Sequence, residues 1–263
     1  MRILNKFYSF TGIFIIVGLG YSHYSYSETS GTFSLTSGFD YSSGDYGDEV
    51  DTDISAIPFV AKYELDRWTF KATIPYIHIR GPGDVIPSIG QVNQTPRRER
   101  TSESGWGDTV VSATYSFYPT SIAQGLVIDV TGKVKFDTAD EDKGLGTGEN
   151  DYATQVDVYK VFGKFTAIAG VGYRVYGNPD FGELDNVFYG SVGGAYKLSP
   201  TTSIGAIYDY RPKITDNGSE ISEVLSFVSH KLTDQWKMQG YFVKGFSNGS
   251  PDYGGGAMLG YTF

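Results

Sequence analysis

Along most of this chain apolar and polar residues take turns. Between residues 126 and 137, Ile128, Val130, Val134 and Phe136 share one face, and Asp129, Thr131, Lys133, Lys135 and Asp137 share the other. Residues 68–77 set Trp68, Phe70, Ala72, Ile74 and Tyr76 against Thr69, Lys71, Thr73 and Pro75. Residues 165–176 set Phe165, Ala167, Ala169, Val171, Tyr173 and Val175 against Thr166, Gly170, Gly172 and Arg174. A period of two sustained over about ten residues predicts a β-strand with one apolar face. Twelve such segments begin near Thr32, Ile54, Trp68, Asp108, Leu126, Tyr152, Phe165, Val187, Thr202, Ser222, Trp236 and Tyr253. The register around Glu223 is ambiguous, no stretch carries a helical period, and no domain boundary interrupts the series.

The connections alternate too. Residues 64–67, 162–164, 199–201 and 233–235 form short turns, with a longer one at 119–125. Aromatic residues flank them: Tyr63 and Trp68, Tyr159 and Phe165, Tyr196, then Trp236. The other connections are long and polar, at residues 42–51, 80–105, 138–151 and 177–186. In a soluble sandwich the same alternation turns its apolar faces inward, but strands in globular sheets average about five or six residues. Ten-residue strands, short turns at one end, long loops at the other and aromatics at strand ends predict a transmembrane barrel. The fold class expected is therefore all-β: a single antiparallel up-and-down barrel of about twelve strands, with short periplasmic turns and long external loops. An even strand number returns both chain ends to the short-turn side.

Composition narrows the partners. The chain has 263 residues, 34 of them Gly, with 16% aromatics and no Cys, so disulfides and thiolate sites are excluded. Arg2 and Lys6 precede the apolar run of residues 10–19, and Ser25 and Ser27 offer small residues for cleavage. That is the pattern of a secretory signal, too short for the roughly 20 residues of a membrane span. The domains expected are a cleaved signal at 1–27 and a barrel at 28–263. A formal charge of −9 without a basic cluster argues against nucleic acid. The partners expected are outer-membrane lipid, the barrel-assembly machinery and a small-molecule solute.

Several groups invite a chemical reading. Residues 144–151, Gly-Leu-Gly-Thr-Gly-Glu-Asn-Asp, lack the Lys-Ser/Thr and the helix of a phosphate loop, so a loop closing onto a strand is the better reading. Acidic residues in the first and third long loops, Asp40, Asp45, Asp48, Glu49, Asp51 and Asp53 and then Asp137, Asp140, Glu141 and Asp142, are of the type that suits calcium, but they lack the EF-hand spacing. No cofactor or metal is expected. His78 and His230 fall at opposite ends of their strands, too far apart to cooperate, so no enzyme is expected. The lumen-facing set by alternation is Lys71, Asp129, Lys133, Lys135, Asp157, Arg174, Asp209, Arg211 and Glu223. Such a set either stiffens the interior as a paired network or forms a polar constriction, and the two are compatible. The loop of residues 80–105, with Arg97, Arg98 and Arg100 among its charges and three prolines, is the expected plug or gate.

Four segments carry a family resemblance: "ESGWGDTVVSATYSFYP" (103–119), "VTGKVKFDTADEDK" (130–143), "GLGTGENDYATQVDVYKVFGKF" (144–165) and "GYFVKGFSNGSPDYGGGAMLGYTF" (240–263). Together they resemble a bacterial outer-membrane family labelled as meta-pathway of phenol degradation proteins, or simply as transporters. The matches are scattered over nearly all of the chain after the signal. The final Leu259, Tyr261 and Phe263 share a face and resemble the C-terminal signature read by the barrel-assembly machinery. The resemblance implies a fold and a location, and no catalytic residue. The function expected is passive uptake of small molecules, aromatic or hydrophobic ones among them. The alternatives are a structural or surface-interaction barrel with an occluded lumen, and then a lipid-modifying enzyme dependent on His78.

Overall fold

The computed structural model describes residues 31–82, 85–87, 89–91, 101–119, 124–216 and 218–263. The signal segment at 1–27 lies outside them, and so do Arg97, Arg98 and Arg100 of the expected gate. The described residues form fifteen strands and no helix: β1 (Thr32–Gly44), β2 (Thr52–Leu65), β3 (Trp68–Gly81), β4 (Val85–Ile86), β5 (Gly90–Gln91), β6 (Thr101–Trp106), β7 (Thr109–Phe117), β8 (Leu126–Phe136), β9 (Asp151–Phe162), β10 (Phe165–Val175), β11 (Val187–Lys197), β12 (Thr202–Arg211), β13 (Ile221–Lys231), β14 (Trp236–Gly245) and β15 (Tyr253–Thr262).

Twelve of these close into an antiparallel ring, ordered β1, β2, β3 and then β7 through β15. The last strand pairs back on the first, from Ser34 opposite Thr262 to Ser43 opposite Tyr253. Closure leaves the wall no free edge, which strands need wherever water is absent. The short turns are built for strand pairing: Asp66 (φ 50) and Gly163 (φ 60) take the left-handed conformation in two-residue connections. At the four-residue turn between β13 and β14 the Lys231 ammonium lies 2.7 Å from Asp234, and it holds that carboxyl below its ordinary range.

One connection differs from expectation. Residues 101–106 are not loop but β6, paired with β3 from Tyr76 opposite Trp106 to Gly81 opposite Thr101. β7 then takes the lower part of β3, from Thr73 opposite Val110 to Trp68 opposite Tyr115. The partner strand fits one extra residue between these two stretches, a bulge at Gly107–Thr109 where the Gly107 N–H donates to Pro75 O at 2.8 Å. The bulge exchanges the two faces, so alternation read from Asp108 onward cannot be carried back into β6.

Outside, the wall is apolar and belted. At the short-turn end Tyr63, Trp68, Phe162, Phe165, Trp236 and Phe263 are exposed, and at the long-loop end Tyr76, Trp106, Phe136, Tyr152, Phe188 and Tyr253 are. Rings meet across neighbouring strands, as Trp68 with Tyr115 (4.9 Å) and Tyr76 with Trp106 (5.4 Å). Leu259 and Phe263 face outward with Tyr261, whose ring packs between Trp236 and Phe263 at 4.8 and 4.9 Å. The Phe263 N–H donates to Phe33 O and so stitches the chain end to the first strand.

Candidate functional site: a lumen on two levels

Each residue of the expected lumen set is buried or half-buried on its strand. The ambiguous register at Glu223 resolves inward as well, with the residue 4% exposed. The structure divides this set between two arrangements of opposite character.

Near the long-loop end, opposite charges interleave. Lys135 Nζ lies 2.8 Å from Asp108 Oδ2 and 3.4 Å from Asp151 Oδ2, and it donates to Thr147 Oγ1 at 2.8 Å. Arg174 reaches the same Asp151 oxygen at 2.6 Å, and its guanidinium stacks 4.2 Å from the Tyr176 ring. Arg211 donates to Tyr176 Oη and to Ile89 O at 2.9 Å. Side chains of Lys135 and Asp151 are 1% exposed, so the network is dry enough for each member to need its partner.

Two loops close over this network. Asp108, in the bulge, accepts the backbone N–H groups of Thr138 and Ala139 and pins the β8–β9 loop. In that loop Gly144 and Gly148 take positive φ (68 and 71), and a side chain on Gly146 would collide with the Asp108 carboxylate. Leu145 is thereby buried against Ile54, Ile77 and Ile79. The Gly-Leu-Gly-Thr-Gly stretch is thus a folded seal whose glycines allow the turns and the close approach to Asp108. The second loop carries the small β4–β5 hairpin. Val85 packs with Ile54, Ile77 and Ile79 of β2 and β3, while Ile86 and Ile89 pack with Tyr176, Val187 and Ile214. Those two groups belong to different sides of the ring, so the hairpin crosses the mouth.

Near the short-turn end, like faces like. Lys62 of β2 stands directly opposite Lys71 of β3. Asp129 of β8 stands opposite Asp157 of β9; Asp209 of β12 stands opposite Glu223 of β13 as well, but near the long-loop end, two residues below Arg211 opposite Ile221. One continuous inward row follows the register: Thr262, Ser34, Lys62, Lys71, Ser112, Lys133. Glu64 lies 2.8 Å from Lys62, and Lys133 donates to Gln155, whose amide in turn donates to Asp157. Lys237 of β14 faces inward at the same end.

Between the charges the interior is apolar to an extent the alternation did not bring out. Val127, Tyr159, Ile168, Ile207, Leu225 and Phe227 belong to one buried cluster with Tyr241 and Met258. Three inward aromatics stand directly across from glycines: Tyr189 from Gly172, Phe227 from Gly205 and Tyr241 from Gly256. A methyl group on any of these glycines would strike the facing ring, so each ring lies flat along the wall of its neighbour. The Tyr241 hydroxyl donates to Asp40, a carboxyl 1% exposed on β1.

Sequence reasoning overlooked Lys62, Glu64 and Lys237, although parity from outward Tyr63 and Trp236 would have placed them inside. It also overlooked Asp108, Asp151 and Gln155, and it assigned Asp40, which is buried on β1, to an acidic external loop. His78 lies on the outer face 2.7 Å from Ser104 Oγ, and His230 bonds Thr202 Oγ1 at the opposite end of the barrel. Among the described residues no three His, Asp or Glu side chains gather as a metal site.

No protein-family profile matches the sequence, and no curated protein does. The fold does find relatives. The crystal structure of the COG4313 outer membrane channel from Pseudomonas putida F1 superposes with a TM-score of 0.67 at 15% identity, covering 94% of this chain and 100% of that one. The KdgM porin superposes at 0.52 with 12% identity, over 88% and 99%. The beta domain of the Bordetella autotransporter BrkA does so at 0.52 with 11% identity, over 90% and 100%. At these identities the likeness concerns the fold alone: a closed twelve-stranded antiparallel barrel of the outer-membrane type, with one extra strand.

Proposed function

We propose that this chain is a monomeric outer-membrane channel, delivered by its signal segment, through which small molecules, aromatic or hydrophobic ones among them, pass passively. The observation that carries the reading is the lumen wall: apolar residues of β8 to β15 line it, and glycines lay its aromatic rings flat. The resemblance to the phenol meta-pathway family and the channel folds among the structural relatives point the same way. No catalytic role is assigned, because the two histidines of the barrel stand at opposite ends. The crossing hairpin and the buried ion network form the obstruction that a solute must pass.

Liposome swelling with the purified, folded barrel tests this. Solute flux that rises on deletion of residues 82–100 is the expected outcome, and absence of both flux and conductance in both proteins contradicts it. The same obstruction supports the second reading, a structural or surface-interaction barrel with its lumen closed. On that reading the deletion removes binding of a partner and opens nothing.

A further inference from the structure

The ring of strands is not equally tall. β1, β2 and β3 run for 13, 14 and 14 residues, whereas β7 to β15 run for 9 to 12. β6 heightens the same side, since it pairs with the upper part of β3. At the long-loop end β8, β9, β11 and β15 finish beside their belt residues Phe136, Tyr152, Phe188 and Tyr253. The β2–β3–β6 wall continues past its own belt residues, Tyr76 opposite Trp106.

Above those two rings the outer face turns polar. Ser55, His78 and Ser104 form the next outward row, and Asp53, Arg80 and Ser102 the one above it. A strand rises about 3.3 Å per residue and tilts by about 35–45° in such a barrel. His78 therefore stands about 5 Å above the rings and Arg80 about 10 Å. The headgroup layer of one leaflet is about 5–8 Å deep. His78 lies within that layer, and Arg80 on its long stem is within reach of it.

The groups at this depth are suited to an anion. Arg80 is exposed, and among the described residues it makes no hydrogen bond, ion pair or ring contact. Asp53 stands directly across from it but takes the Tyr41 hydroxyl at 2.8 Å. His78 is exposed as well, with Nδ1 2.7 Å from Ser104 Oγ, which steadies the ring and leaves Nε2 as its second hydrogen-bonding atom. A guanidinium is a planar fork that meets a phosphate with two parallel hydrogen bonds. Just below, Tyr76 and Trp106 meet edge to face at 5.4 Å, and Phe59 lies 5.9 Å from Trp106, which gives acyl chains a rigid apolar surface. A charged fork above an aromatic floor, on the lipid-facing side, is complementary to a phosphorylated lipid.

We propose that the outer face of β2, β3 and β6 binds an outer-leaflet lipid whose headgroup carries a phosphate monoester. Arg80 and His78 take the phosphate, and Tyr76 and Trp106 take the first methylenes of the chains. The site rests on the outer-membrane location with the long loops facing outward. It is independent of whether the lumen conducts.

Native mass spectrometry of the purified, folded barrel in neutral detergent tests the site. The probes are bis-phosphorylated lipid A, the same lipid with its phosphates removed, and inorganic phosphate. The unmodified barrel retains the phosphorylated lipid about tenfold more than the dephosphorylated one, as one charge-assisted contact confers. Arg80→Gln abolishes that preference and His78→Ala reduces it. Both side chains are exposed, so the variants keep the fold. Arg67→Gln, at the opposite rim, leaves the preference unchanged. Equal retention of the two lipids, a preference that survives in both Arg80→Gln and His78→Ala, or an equal loss in Arg67→Gln overturns the proposal. Displacement of the lipid by excess inorganic phosphate also overturns it, because the site would then be one for a free anion. A barrel that binds the lipid in this way but passes no solute overturns the channel reading alone.

Discussion

The two ends of one lumen solve the same electrostatic problem in contrary ways. At the long-loop end Asp108, Lys135, Asp151 and Arg174 alternate in sign, and each of these four touches its opposite, although Asp209 faces Glu223 on the neighbouring wall. At the short-turn end Lys62 faces Lys71 and Asp129 faces Asp157. The first arrangement is complete in itself: it ties β7, β8, β9 and β10 to two loops and closes the mouth. The second keeps Glu64 2.8 Å from Lys62 but otherwise sets like charges opposite one another on neighbouring strands. Charged residues on one barrel wall therefore do not share one arrangement, and cross-strand register distinguishes the two.

The comparison breaks first at the upper network. Asp151→Asn takes from Arg174 the carboxylate 2.6 Å away and leaves Lys135 with Asp108 alone, which costs about 3–5 kcal/mol. Urea unfolding in lipid vesicles measures this, and the same variant shows raised conductance as the loops loosen; unchanged stability would mean the network is idle.

Next comes the division between inside and outside on which both levels depend. Val192 is 57% exposed on the outer face of β11. Val192→Arg costs roughly 2–4 kcal/mol if that face meets hydrocarbon. A neutral effect in the same unfolding assay would place that face in water.

A smaller effect is expected at the flat rings. Gly205→Ala overpacks against Phe227 and the Gly194 carbonyl, at roughly 1–3 kcal/mol. Gly132→Ala, with open space around its position, is the control and changes stability far less. Equal effects would remove the packing argument.

The smallest change in stability belongs to the lower lysines. Lys62→Gln/Lys71→Gln relieves a repulsion and at the same time removes the Lys62–Glu64 pair, so stability shifts by less than about 1 kcal/mol in either direction. A large loss would show that these lysines are structural like Lys135.

The barrel was legible because period-two alternation and unequal loops are properties of single strands and their connections. Lys71, Asp129 and Lys133 were legible as inward for the same reason. What single-strand alternation does not contain is register, and with it the pairing of Lys62 with Lys71 or Asp129 with Asp157. β6 was hidden because the bulge at Gly107–Thr109 inverts the faces. The hairpin across the mouth had a signal in Val85, Ile86 and Ile89, apolar residues inside a polar loop, but the surfaces they cover come from strands distant in sequence. Asp108 is the sharpest example. It reads as a residue at a strand entry, and only the fold brings it to Lys135 and the β8–β9 loop.

Single-channel recording in a potassium chloride gradient tests the division of labour most directly, because conductance and reversal potential come from the same trace. In Asp151→Asn, conductance rises and the reversal potential stays where it is in the unmodified barrel. In Lys62→Gln/Lys71→Gln, the reversal potential moves toward cation selectivity without the opening seen in Asp151→Asn. Variants that alter both quantities alike, or a barrel that carries no current in any form, would contradict a lumen that closes at one level and selects at the other.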